Sequence, residues 1–139
     1  MQNAKLKTAL AFCLLHFALL VSITFAQFGH PLKGQWSGDW GPKDKPNRIL
    51  MDLTWDGKEV GGVINPGTDT AATVRKVTID YSKVDSWAVQ IEADAKDPSG
   101  KIIPVRISGT LENLGAYMRV FHGTFAQGSQ KGDFTVTRN

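Results

Sequence analysis

A two-residue hydrophobic period, repeated through most of the chain after residue 33, constrains this sequence more than anything else in it. In "RILMDLTW" (48–55), Ile49, Met51, Leu53 and Trp55 share one face. In "WAVQIEA" (87–93), Trp87, Val89 and Ile91 face one way, with Gln90 and Glu92 opposite. Phe134, Val136 and Arg138 alternate with Asp133, Thr135 and Thr137. Successive side chains of a strand point to opposite faces, so each run predicts a strand with one buried face. No segment carries a helical period. The runs predict eight strands, at 34–40, 48–55, 58–64, 73–81, 86–93, 102–111, 116–125 and 132–138.

The punctuation agrees with this division. Asp56-Gly57 is a tight hairpin signal, and Asn65-Pro66-Gly67, Asp97-Pro98-Ser99-Gly100, Glu112-Asn113-Leu114-Gly115 and the 128–132 stretch are turn clusters. Pro104 inside the sixth run predicts a bulge there, or a strand that starts near Val105. Eight strands left as an open sheet would expose pairing edges, and eight is the number that closes around side chains or one small ligand. The fold expected is therefore all-β, an eight-stranded antiparallel up-and-down β-barrel. In a meander, the connections 41–47, 65–72, 94–101 and 126–131 gather at one end, and the shorter ones at the other. This asymmetry predicts one open and one closed mouth.

The first residues carry a different signal. Lys5 and Lys7 precede an apolar run from Thr8 to Ile23, and Thr24-Phe25-Ala26 offers small residues for cleavage before Gln27. That is the three-part pattern of a secretory signal peptide over 1–26, and it predicts a secreted or periplasmic protein. Residues 27–139 then form one domain. The single cysteine, Cys13, lies within the signal, so the exported part uses no disulfide and has no thiol chemistry. Two units of the +3 formal charge belong to Lys5 and Lys7. Lys43, Lys45 and Arg48 share a loop with Asp44 and make no nucleic-acid patch. After cleavage no integral membrane segment is expected.

"GQWSGDW" (34–40) opens the first strand, and Arg138 closes the last. If the sheet closes, the end of the last strand meets the start of the first, which places Arg138 beside Trp36. Trp55 then comes to the same, closed end. Gly34 and Gly38 would relieve crowding where the strand bends. On Gly34-Gln35-Trp36 and the distant Arg138, the chain resembles the calycins, the superfamily of lipocalins, fatty-acid-binding proteins and avidins. Through "NRILMDLTWDGKEVGGVINPG", "GTLENLGAYMRVFHGTF" and "KGDFTVTR" it resembles exported bacterial lipocalin-like proteins, a group that brings no activity with it. It lacks the T-D-Y-type motif and C-terminal helix of true lipocalins, and the tryptophan motifs through which avidins hold biotin. The resemblance implies a barrel that binds a small, largely apolar molecule through its open end.

Three residues are candidates for that site. Trp40 falls on the open-end side of the first strand and is either a wall of the mouth or a core residue. Arg119 alternates with Tyr117 and Phe121; pointing inward it would hold a ligand carboxylate, and pointing outward it is a solvated charge. His122 sits among apolar residues, and with His30 in the lead-in it has no ligand-like spacing, so no metal site is expected. Asp39, Asp52, Glu92 and Glu112 are scattered, and Gly61-Gly62 precedes no helix, so neither a catalytic pair nor a phosphate loop is indicated. No cofactor motif is present. The alternative reading is a filled barrel whose longer loops meet a protein or a cell-envelope glycan.

Overall fold

The computed structural model describes residues 29–139. The signal peptide expected over 1–26, and Cys13 with it, lies outside the described residues. The unit Pro31–Asn139 carries eight strands: β1 (Gly34–Trp40), β2 (Asn47–Trp55), β3 (Val60–Ile64), β4 (Ala72–Asp80), β5 (Ser86–Lys96), β6 (Ile102–Glu112), β7 (Val120–Gln127) and β8 (Gln130–Arg138). Each pairs antiparallel with the next, and β8 pairs with β1 to close the barrel. Among the described residues no helix is long and apolar enough to cross a membrane.

The two-residue period becomes the inner wall. Ile49, Met51 and Leu53 of β2, Val89, Ile91, Ala93 and Ala95 of β5, and Phe134 and Val136 of β8 are all buried. Their neighbours along each strand face solvent, and among the described residues no polar or charged residue is buried. Aromatic rings do much of the filling. Trp36 meets Phe121 edge-on at 6.4 Å between centroids, and Phe121 meets Phe134 edge-on at 4.9 Å, both preferred aromatic geometries. Closure also demands close backbone approach. At Gly38 a Cβ would run into the carbonyl oxygen of Thr135 on β8. At Gly62, φ is +132° and a Cβ would strike the carbonyl oxygen of Asp52 on β2. Only glycine serves at these two crossings.

The closed end follows the expected register. Trp36 pairs with Arg138 across the β1–β8 seam. The guanidinium of Arg138 lies over Gly34, where a Cβ would sit 2.9 Å from Nε. The lead-in folds under the barrel: Leu32 is fully buried, and the Trp36 indole N–H donates to the Leu32 carbonyl at 2.8 Å.

Three expectations need correction. The seventh strand begins at Val120, not 116. Residues 113–119 form the β6–β7 connection, in which Asn113 turns the chain at φ +58° and Tyr117 and Met118 stand exposed. The 126–131 connection is not a long loop: β7 and β8 run on to a two-residue turn at Gly128-Ser129, with Gly128 at φ +58°. Loop length therefore does not separate the two mouths; the buried Leu32 and Trp36 mark the closed one. Pro104 causes no bulge, since β5 and β6 stay in register from Ser86↔Glu112 to Lys96↔Ile102. It sits just beyond the last β6–β7 pair, Val105↔Gln127, so its missing N–H costs that ladder nothing. The irregularity falls instead in β4, between Val74 and Lys76.

Candidate functional site

Antiparallel order brings the β1–β2, β3–β4, β5–β6 and β7–β8 connections to the end opposite Arg138. A cleft of about 700 Å³ opens there. Trp40, the last residue of β1, supplies its aromatic surface. The indole is half-buried, with its ring centroid 4.5 Å from that of Phe125 at a 40° tilt. Phe125 is buried in the core, so the ring of Trp40 stands on a fixed base.

The remaining lining is polar. Asn47 and Arg48 come from the start of β2, Asn65 and Thr70 from the β3–β4 connection, and Gln130 and Lys131 from the start of β8. The β3–β4 connection is held by its own bonds. Asn65 adopts φ +49°, a left-handed conformation that asparagine tolerates better than most residues. Its backbone N–H donates to the Leu50 carbonyl at 2.7 Å, and its side-chain oxygen accepts from the Leu50 N–H at 3.0 Å. The Thr68 hydroxyl donates to the Asn65 carbonyl at 2.8 Å and lies 3.1 Å from the Thr70 hydroxyl. Arg48 forms an exposed ion pair with Asp39 at 3.2 Å, directly across the β1–β2 ladder. Such a pair is worth little to stability, at most about 1 kcal/mol, but it orients the guanidinium at the rim.

Of the three candidates, the structure brings only Trp40 to this cleft. Arg119 sits on no strand. It lies in the β6–β7 connection at the closed end, donating to the carbonyls of Leu114 at 3.0 Å and Pro31 at 3.3 Å. Burial first, and the nearby Arg138 second, hold its guanidinium below the ordinary arginine range. Its work is to tie the lead-in to the barrel. His122 lies on the outer face of β7, beside the inward Phe121, with Nε2 3.4 Å from a Glu112 carboxylate oxygen across the β6–β7 ladder. Among the described residues no three His, Cys, Asp or Glu side chains come close enough to hold a metal.

The mouth is therefore more polar than a largely apolar pocket requires. Asn47, Asn65, Thr70 and the 127–131 stretch escape a motif search because each lies in or beside a connection that looks like punctuation. The usable signal was topological: alternate turns of a meander share one end. Comparison with family models, with curated proteins and with solved structures returns no match.

Proposed function

We propose that the protein is an exported, calycin-like binding barrel whose open-end cleft takes a hydroxyl-rich small molecule, a short glycan. One observation carries this reading: a single anchored indole, Trp40, stands in a cleft otherwise lined by amide, hydroxyl and cationic side chains. An aromatic face packs against the C–H face of a sugar ring. Amides such as Asn47, Asn65 and Gln130 both donate and accept, which suits hydroxyls. Arg48 and Lys131 favour sugars with an acidic substituent. Kinship with calycins is supported by the Trp36↔Arg138 register across the closing seam, and export by the pattern of residues 1–26. An apolar ligand in the interior fits less well, because Trp40 rests on Phe125, and the buried Phe121 and Phe134 meet edge-on in the core.

A glycan array probed with the purified protein, followed by titration calorimetry on any sugar retained, tests the reading. A defined oligosaccharide class should bind. Trp40→Ala should weaken it about tenfold or more, as loss of a central aromatic anchor does. A folded protein that holds no glycan, or a Trp40→Ala variant that binds as well as the original, would overturn it.

A further inference from the structure

One seam of the barrel stays unzipped. β3 pairs with β4 at Val63↔Thr73 and Ile64↔Ala72 and goes no further. β4 itself continues to Asp80, in register with β5 as far as Asp80↔Ala88. The irregularity between Val74 and Lys76 marks where β4 parts from β3, as a bulge bends its strand. From Lys76 to Asp80, then, no strand pairs with the β3 side of β4 among the described residues. Every second residue of such a stretch turns its N–H and C=O sideways, a row of groups ready to pair.

The seam has the other marks of a contact surface. A cleft of about 390 Å³ runs along it, lined by Val77 and Ile79 of β4 and by Lys58, Glu59 and Val60 at the entry to β3. Val77 and Ile79 take the inward parity yet are only half-buried. Just beyond the strand, Tyr81 is 57% exposed and Val84 96%.

Lys76, Thr78 and Asp80 occupy the outer face of the open stretch, and their order is self-complementary. Laid antiparallel against a second β4 about a two-fold axis through Thr78, Lys76 falls opposite the partner's Asp80. Asp80 falls opposite the partner's Lys76, and Val77 opposite the partner's Ile79. Moving the axis by one residue to Val77 or Ile79 breaks both charge pairs. A two-fold contact uses each favourable pair twice, and opposite charges directly across an antiparallel ladder stabilise it. We propose that the open edge of β4 is where a second copy of this chain docks, making one sheet continuous across two barrels. The seam lies on β4 toward the closed end, away from Trp40, so the proposal does not depend on the glycan reading.

Light scattering on the purified protein through a dilution series tests it, with Lys76→Glu, Asp80→Lys and the double variant. The original protein should dimerise. Each single reversal sets like charges opposite one another twice and should weaken the dimer about tenfold or more. The double variant restores both pairs and should dimerise again. Lys76 also faces Glu92 on β5, and the Asp80 carboxylate accepts from the Ser82 N–H at 2.9 Å, so both reversals carry some cost to the monomer. The double variant carries both costs, and its recovery can come only from the interface. A protein that stays monomeric, whether residues 1–28 or another protein covers the edge, overturns the proposal. So does a dimer that the single reversals leave intact, or a double variant that fails to recover.

Discussion

Gly38 shows how much one missing side chain decides. Its Cα lies so close to β8 that any Cβ would meet the Thr135 carbonyl oxygen, which is backbone and has no rotamer to yield. Gly38→Ala should therefore destabilise the barrel by about 3 kcal/mol, the upper range for overpacking in a tight site. Urea unfolding would register this as a lower midpoint at unchanged slope; an unmoved midpoint would mean that β1 and β8 are not in this close contact. Residue roles were legible in the sequence where closure dictates them. Trp36 and Arg138 are separated along the chain by nearly the whole barrel, and antiparallel closure alone makes them neighbours. Arg119 was not legible. Tyr117, Arg119 and Phe121 alternate as a strand would, but the first is an exposed loop residue and the second is held by two carbonyls. Alternation across a loop–strand boundary has no structural content, and composition does not mark that boundary.

Among the elements, the strands were legible and their connections less so. Burial of one face enforces a two-residue period along β2, β5 and β8, so their inward residues could be named before any coordinate. A turn's course depends on a few side-chain bonds that the period does not carry. The β5–β6 turn is built on Asp97, whose carboxylate accepts from the Ser99 and Lys101 N–H groups, each at 2.9 Å, and from the Ser99 hydroxyl. The Ser99 hydroxyl first, and the Lys101 N–H next, hold this carboxyl below its ordinary value of 3.8. Asp56 and Asp80 are lowered in the same way, chiefly by the backbone N–H groups of Glu59 and Ser82 respectively. A carboxyl whose folded-state pKa is depressed stabilises the fold above its unfolded pKa and loses that contribution as pH falls through the folded value. Stability should thus decline as the solution is acidified through the ordinary aspartate range and below it. Asp97→Asn keeps an acceptor oxygen but does not titrate. Thermal melts from neutral pH down to about pH 3 should show a shallower acid decline in this variant than in the original. Equal acid slopes would detach Asp97 from the pH dependence.

The whole molecule is a closed barrel with different chemistry at its two mouths and one seam left partly unpaired. One end is sealed by Leu32, Trp36 and the Arg119 contacts to the lead-in. The other presents Trp40 among amides, hydroxyls and cations. Closure followed from strand number and the cost of open edges, both readable from the sequence. The polar character of the mouth did not, because it is assembled from residues in or beside three separate connections that only the closed sheet brings together. Sugar binding at this mouth can be followed through the indole N–H resonances of the four tryptophans in a nitrogen-15 spectrum while an array-selected glycan is titrated in. Binding there should move the Trp40 indole signal, together with the side-chain amides of Asn47, Asn65 and Gln130. The Trp36 indole, bonded to the Leu32 carbonyl in the core, should stay in place. Shifts confined to other residues, or a Trp40 signal unmoved at saturation, would contradict it.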